Sequence, residues 1–343
     1  MAKKIITVNG EISEDDLGIT LPHEHLFTNL RASWKGETKE IIEREIIGQP
    51  VNLNNRGEVI YKAFDFLDNL YHVDMDNAIE ETNIFKQFGG DTIVDLTTID
   101  LGRDPKAIYS VASTTGLNIV MGTGYYSSHT GAEIIDNSSE VEITNKIIKE
   151  FENGVGTTGI KPGIIGEIAV WDFNNELDIK NLRASAKAQR EIGCGLNIHQ
   201  PLWEENGNKI LDILEKESVN LEKVVISHCD TTIDDMDYHE ALAKRGVYVE
   251  YDLFGAEFMS YEGKFLPSDG DRIKAIKELI KRGYLDHILI SHDACHKISF
   301  VRWGGWGYGH ILRHIIPRLR QEGLKEDQIS TIIKENPKRL LSF

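Results

Sequence analysis

The sequence predicts a (β/α)8 barrel, an α/β fold in which eight parallel strands alternate with helices. Eight short apolar runs rich in β-branched residues recur along the 343 residues, and longer amphipathic segments lie between them. Strands buried on both faces of a parallel sheet show such near-continuous apolar runs. An open doubly wound sheet is the alternative, but no Gly-x-Gly-x-x-Gly motif follows the first strand, which favours the barrel.

The predicted elements follow one another without a break, so residues 1–343 are expected to form a single domain. A short N-terminal β-hairpin, at about residues 4–14, turns at Asn9 and Gly10, a pair typical of a two-residue type I′ turn. The barrel occupies about residues 17–343. Its eight strands are predicted at 18–21, 92–96, 117–121, 163–168, 196–199, 224–228, 247–251 and 288–293. Amphipathic helices are predicted at 78–87, 181–192 and 271–282, among others.

A long polar insert separates the first predicted strand from the first predicted helix. It runs from about Arg31 to Asn69 and has a helical composition. Loops that follow the strands of such a barrel lie at its catalytic end. We therefore expect the insert to cap the mouth of the barrel.

The composition is typical of an enzyme that acts on a small molecule. There are 38 basic and 55 acidic residues, a net charge of −17, which argues against nucleic acid and anionic membranes as partners. No apolar run approaches the roughly 20 residues that span a bilayer, and the N-terminus lacks the apolar core of a signal peptide. Three scattered cysteines make no disulfide framework, so we expect a cytoplasmic protein. Trp303, Trp306 and Tyr308 stand among glycines, and we expect them to form either the aromatic patch of a homodimer or a substrate lid.

Two histidines one residue apart, His23 and His25, end the first strand-like run. Side chains alternate faces along a strand, so these two imidazoles point the same way. Two imidazoles on one face form a chelating pair for a divalent metal.

Further metal-ligand residues stand at the ends of other predicted strands, where barrel enzymes carry their chemistry. They are Glu167, His199, His228 and Asp293. Each also has a structural interpretation, as a core histidine or a buried acid, and Asp230 and His292 compete with their neighbours for the same role. Six nitrogen and oxygen ligands exceed the needs of one catalytic metal and suit two, roughly 3.5–4 Å apart. Zinc is the first choice, and manganese, cobalt and iron are compatible.

The combined motifs resemble the phosphotriesterase family of the amidohydrolase superfamily over nearly the whole chain. They are Leu-Pro-His23-Glu-His25-Leu, Gly-Ile-Ile-Gly-Glu167-Ile, Asn-Ile-His199-Gln, Ile-Ser-His228-Cys and Ile-Ser-His-Asp293. The resemblance implies that His23, His25 and Asp293 hold the more buried metal and that His199 and His228 hold the more exposed one. Many members bridge the metals with a carboxylated lysine. Lys161 lies about 20 Å further down the strand than Glu167, too deep for that role. Other members carry glutamate at this point, so the resemblance implies that Glu167 is the bridge.

The resemblance also implies hydrolysis of phosphotriesters or lactones by a hydroxide that bridges the two metals. Asp293 would act as the catalytic base and then as the acid. Five residues in loops after strands are candidates for substrate binding, or else are surface or packing residues: Arg103, Tyr125, Lys264, Lys297 and Arg302. We expect a lactonase that opens a sugar-derived lactone, with or without a phosphate. The alternatives are a phosphoester hydrolase or an amidase on the same scaffold and, as a different class, a ligand-binding barrel without catalysis.

Overall fold

A computed structural model describes residues 3–257, 259–261 and 263–343. Eight parallel strands form one sheet whose spatial order follows the chain. We number them β1 to β8: Thr20–Glu24, Thr92–Asp95, Asn118–Thr123, Ile164–Ala169, Gly195–His199, Val224–Ser227, Tyr248–Tyr251 and Ile288–Ile290. The two ends of the sheet meet where the backbone N–H of Asp293 donates to the carbonyl of His23 at 3.1 Å. The predicted barrel is confirmed.

Helices cover the outside of the barrel. The α-helices after the insert are Met75–Gln87, Pro105–Thr115, Ser128–Asp136, Glu140–Asn153, Glu176–Ile192, Gly207–Lys216, Met236–Lys244, Asp269–Lys281, Ile316–Gln321, Glu326–Ser330 and Asn336–Leu341. Two π-helical segments, Ile311–Ile315 and Thr331–Glu335, precede α-helices near the C-terminus. Within the described ranges, no helix combines the length and apolar character that a bilayer crossing requires.

The interior of the barrel is a packed core. Its buried side chains include Val94, Val120, Ile164, Val225 and Leu289, one from each of five strands. Ile5 of the N-terminal hairpin and Leu340 of the last helix belong to the same cluster. These two elements therefore close the amino-terminal end of the barrel, and the carboxyl-terminal end is left for a site.

The hairpin forms as predicted, but its turn lies one residue earlier. The strands Lys4–Thr7 and Gly10–Ser13 pair with Thr7 opposite Gly10, so Val8 and Asn9 are the turn residues. Of these turn positions only Gly10 has a positive φ, +116°, so the predicted type I′ turn at Asn9 and Gly10 is wrong. The reason is tertiary, because buried Val8 donates its N–H to the carbonyl of Ile119 at 2.9 Å.

The insert after β1 covers the mouth of the barrel, as expected. It contains the helices Ile41–Ile47 and Arg56–Tyr61, and its ends are tied by the short antiparallel pair Thr28–Asn29 and Tyr71–His72. A second short pair, Ser260–Tyr261 with Lys264–Phe265, follows β7. The rings of Phe64 and Tyr261 meet edge to face with centroids 4.7 Å apart. The insert and the β7 loop therefore contact each other above the mouth of the barrel.

Candidate active site

The six residues predicted at the strand ends come together at the carboxyl-terminal end of the barrel, with Glu167 at the centre. Its Oε1 lies 2.7 Å from Nδ1 of His199 and 2.8 Å from Nε2 of His228. The same oxygen is 3.6 Å from Nε2 of His23. One carboxylate oxygen therefore faces imidazoles at the ends of three different strands.

Asp293 occupies the opposite side of the cluster. Its Oδ1 is 3.1 Å from Nε2 of His25 and 3.8 Å from Nε2 of His23. The potential ligand atoms form three groups, each within 4.8 Å: His23, His25 and Asp293; Glu167, His199 and His228; and His23, His228 and Asp252. The first two groups contain the residues that the family resemblance implies for the two metals, with the expected bridge Glu167 in the group of His199 and His228.

Backbone irregularities aim these side chains. The pairing of β4 with β5 changes register between Ile165 and Ile168, around a Gly166 with φ +113°. A side chain at Gly166 would place its Cβ 2.5 Å from the carbonyl oxygen of Asn197. Positive φ at this position, together with the close approach, calls for glycine.

Two other site residues, His228 and Asp293, also have positive φ, of +58° and +46°. Strand β8 ends at Ile290, three residues before Asp293, so this acid lies on the following loop rather than on the strand as predicted. The left-handed backbone turns each side chain back over the barrel mouth.

The other side of the imidazoles is held by an acid that sequence reasoning missed. Asp252, directly after β7, lies 2.9 Å from Nδ1 of His23 and 2.9 Å from Nδ1 of His228. The Nδ1 of His25 lies 2.9 Å from the Thr97 hydroxyl. With Nδ1 occupied in each of the three rings, Nε2 is the nitrogen that faces the cluster. The sequence signal for Asp252 was its place at the end of a predicted strand.

The carboxylates of Glu167 and Asp252 stabilise positive charge in the site. Burial opposes protonation of His23, but Glu167 and Asp252 outweigh it and raise its pKa well above the usual value. Burial likewise opposes protonation of His228, and Asp252 and Glu167 raise its pKa well above the usual value. For Glu167, burial opposes ionisation, but His199 and His23 hold its pKa well below the usual range. Such a field stabilises cations.

The residues present fit a pair of metal ions. The Nε2 of His23 is buried and has no hydrogen-bond partner among the described residues. Imidazole nitrogens and carboxylate oxygens are the donors that zinc and similar divalent ions prefer. The unpartnered nitrogen, the ionised acids and the two ligand groups together match a binuclear centre.

A cavity of about 80 Å³ opens above this cluster. Besides the site residues, its walls are mostly apolar or aromatic, and they include Leu30, Phe64, Leu101, Tyr126, Trp171, Leu253, Met259, Tyr261 and His296. The side chain of Asp293 is 16% exposed, whereas the other five are 8% exposed or less. Asp293 is therefore the site acid most open to a substrate.

The structure does not bring the five predicted substrate-binding residues to this cavity. Arg103 is buried, and its guanidinium donates to the Gly122 carbonyl at 2.9 Å and pairs with Glu150 at 2.9 Å. Tyr125 is buried in the layer between strands and helices. Lys264 lies over the ring of Trp203, 5.3 Å from its centroid.

Lys297 and Arg302, the two predicted substrate-binding residues after β8, form ion pairs with acidic side chains. Lys297 pairs with Asp68 of the insert at 2.6 Å. Arg302 pairs with Asp74 at 2.6 Å and with Glu80 at 2.9 Å. Both charges therefore tie the β8 loop to neighbouring elements.

The two competing residues at the strand ends also have other roles. Asp230 pairs with buried Arg272 at 2.5 Å, and His292 lies 2.6 Å from Glu24 through its Nδ1.

Tyr308 is buried, and its hydroxyl donates to the carbonyl of His25 at 2.8 Å. Asp230, His292 and Tyr308 are therefore part of the scaffold beneath or beside the cluster.

Comparison with known proteins agrees with this geometry. The model of the phosphotriesterase family matches residues 3–341. An N-acetyltaurine hydrolase of Dictyostelium discoideum is 37% identical over 99% of this chain and 98% of its own. A resiniferatoxin-binding protein of Rhodobacter sphaeroides superposes with a TM-score of 0.95 at 35% identity, covering 98% of this chain and 94% of that one. A lactonase of Listeria monocytogenes superposes with a TM-score of 0.80 at 25% identity over 99% of each chain. The chain belongs to the phosphotriesterase family and is a metal-dependent hydrolase.

Proposed function

We propose that the protein hydrolyses the amide bond of an N-acetylated amine that carries an anionic group, such as N-acetyltaurine. The observation that carries the hydrolytic chemistry is the single Glu167 oxygen shared by three imidazoles, with Asp293 on the opposite side of the cluster beside His25. The choice of an amide is supported by the relatives named N-acetyltaurine hydrolase, which match almost the full length of the chain. The amidase weighed from the sequence is thus preferred to the lactonase.

Two divalent metals, zinc as the first choice, would be held by the six clustered residues. His23, His25 and Asp293 would hold one ion, His199 and His228 the other, and Glu167 would bridge them. When bound, the metals supply an ionised water as nucleophile and polarise the carbonyl oxygen. His25 and His228 keep Nε2 turned inward because Thr97 and Asp252 occupy their Nδ1 atoms.

Asp293 carries the proton that must be transferred during the proposed amide hydrolysis. Amide hydrolysis must move the proton that the attacking hydroxide still carries to the leaving nitrogen, because a neutral amine leaves far more readily than its anion. The Asp293 carboxylate accepts that proton and then gives it to the nitrogen as the C–N bond breaks. Its partial exposure to the cavity, greater than that of its five neighbours, suits this role.

A lactonase is the second candidate function. It is favoured by the structural likeness to the Listeria monocytogenes lactonase. A lactone needs the same attack on a carbonyl, with the ring alkoxide as leaving group. The phosphorylated form of the substrate has little support, because Lys297 and Arg302, the residues predicted to bind the phosphate, pair with Asp68, Asp74 and Glu80.

A substrate panel tests these proposals. Metal-loaded protein is assayed with N-acetyltaurine and with sugar lactones that do and do not carry a 5-phosphate, and the metal content is measured in parallel. We expect acetate and taurine in equal amounts, and a kcat/KM for the amide well above that for any lactone. Rapid lactone opening without acetate release would overturn the amidase in favour of the lactonase. Full activity without stoichiometric metal would overturn both.

A further inference from the structure

The wall of the cavity contains three buried nitrogen atoms that have no hydrogen-bond partner in the described part of the chain. Among the described wall residues, the buried nitrogens without a hydrogen-bond partner are Nε1 of Trp171, Nε2 of His199 and Nε2 of His296. His199 already belongs to the metal-ligand cluster. An unpaired buried polar group costs about 1–3 kcal/mol, and ligand pockets characteristically place a few such groups where a ligand pairs with them. Nε2 of His296 and Nε1 of Trp171 are therefore the candidates for hydrogen bonds to the substrate.

His296 is held firmly in this position. It lies three residues after Asp293, its exposure is 4%, and its ring meets Phe64 edge to face at 5.0 Å. Its Nδ1 is 3.2 Å from Sγ of Cys295. Burial lowers the pKa of His296 to about 4, so the ring is neutral at physiological pH. The neutral ring carries one hydrogen, and in the tautomer that has it on Nε2 the ring can donate it to a substrate oxygen while Nδ1 faces Cys295.

Trp171 lies on the wall next to His199, with the two ring centroids 4.6 Å apart. It lines both the cavity and a shallow depression that adjoins it, and Ser33, Phe64 and Tyr261 are also shared between the two. An indole nitrogen can only donate a hydrogen bond. Its partner must therefore be an acceptor that enters from the cavity or the depression.

We propose that Nε2 of His296 and Nε1 of Trp171 bind the oxygens of the anionic group at the non-reacting end of the substrate. The assignment rests on the proposed function and names the residues that select its substrate class, N-acyl amines that end in a sulfonate or carboxylate. Hydrogen bonds from neutral donors to ionised oxygens are roughly twice as strong as neutral ones. Two of them in an apolar wall therefore discriminate an anionic substrate from its uncharged analogue without a lysine or arginine.

Variants that keep an aromatic ring but remove the donor test this assignment. His296→Phe and Trp171→Phe are assayed with N-acetyltaurine and with N-ethylacetamide, the same amide without the sulfonate. We expect kcat/KM to fall roughly 10- to 100-fold for N-acetyltaurine and less than about threefold for N-ethylacetamide. Binding of taurine, measured by calorimetry, should weaken by a similar factor. Trp203→Phe is the matched control, since its Nε1 is also buried and has no partner in residues 3–257, 259–261 and 263–343, but Trp203 is not among the described residues of the cavity wall.

The possible outcomes separate this assignment from the proposed function. Wild-type protein that cleaves neither amide overturns the proposed function and the assignment with it. Wild-type protein that cleaves N-acetyltaurine, with variants that keep that activity or lose both substrates equally, overturns only the assignment. If His296→Phe does not fold, His296→Gln and His296→Met decide, because only glutamine keeps a donor; equal loss of taurine binding in the two contradicts the proposal.

Discussion

Asp252 orients two imidazoles of the active site at once. It accepts from Nδ1 of His23 and of His228, and the backbone N–H of His228 also donates to it at 3.1 Å. Burial opposes ionisation of Asp252, but His228 and His23 outweigh it and lower its pKa below the usual value. A carboxylate behind a metal-binding histidine fixes the tautomer and makes the free nitrogen more basic. Asp252 should therefore govern metal affinity without contacting the substrate.

The variant Asp252→Asn is expected to bind metal about 10- to 100-fold more weakly. The amide accepts a hydrogen bond less strongly and carries no charge to favour a cation nearby. Competition with a chelator of known affinity measures the change, and saturating metal should restore most of kcat. Asp172→Asn, a substitution in the adjoining depression, serves as the control. Unchanged metal affinity in Asp252→Asn would contradict the role.

Asp293→Asn should lower kcat for the amide by about 10²- to 10⁴-fold. The substitution removes the group proposed to carry the proton, while its size and much of its contact with His25 are kept. KM should change by less than about threefold, because the loss falls on the transition state rather than on binding. Steady-state kinetics at saturating metal provide the measurement. A raised KM with unchanged kcat would show that Asp293 binds substrate instead.

Strand β4 is the element whose irregularity places Glu167. Its regular pairing breaks between Ile165 and Ile168, and the N–H of Glu167 donates instead to the Leu96 carbonyl at 3.0 Å. The close packing extends to the next strand, because a Cβ on Gly122 would lie 2.3 Å from the Gly166 carbonyl oxygen. Two glycines on neighbouring strands thus leave the backbone room to turn the carboxylate over the barrel mouth.

Gly166→Ala is expected to destabilise the fold by about 2–4 kcal/mol. The new methyl group would meet the Asn197 carbonyl, and the residue would also keep an unfavourable positive φ. Gly193→Ala is the matched control, since Gly193 has φ +80° at a helix end but open space around its Cβ. That variant should cost only about 1 kcal/mol. Unfolding in denaturant measures both, and equal losses would show that packing around Gly166 does not matter.

At the scale of the whole molecule, features that depend on local pattern could be predicted and features that depend on distant partners could not. Short apolar runs, separated by amphipathic segments, predict the eight strands. Because side chains alternate faces along a strand, the one-residue spacing of His23 and His25 places both on the same face. Lys297 illustrates the opposite case. Its partner Asp68 is 229 residues away in sequence, so no local pattern shows that its charge is already paired. The same holds for Val8, which a distant carbonyl fixes in the hairpin turn.

Glu81 links the global stability of the barrel to pH. It lies on the helix Met75–Gln87, its exposure is 1%, and its Oε1 accepts from the N–H of Val301 at 2.6 Å. Burial raises its pKa from 4.5 to about 7. Between these values the folded chain keeps a proton that the unfolded chain releases, so the folded state binds more protons. The stability contributed by Glu81 is therefore full below pH 4.5 and is lost as the pH rises through 7.

Glu81→Gln, which stays neutral at every pH, should remove this loss. The variant is expected to be more stable than the wild type at pH 8, by on the order of 3 kcal/mol at most, and the difference should shrink towards pH 5. Denaturant unfolding of both proteins at four pH values between 5 and 8 gives the comparison. Glu80→Gln, on the same helix but with a side chain 62% exposed, should follow the wild-type pH dependence. If the free energies of unfolding of the wild type and of Glu81→Gln change with pH in parallel, Glu81 has the same pKa in the folded and unfolded chains. In that case, burial of this acid does not limit the stability of the protein at high pH.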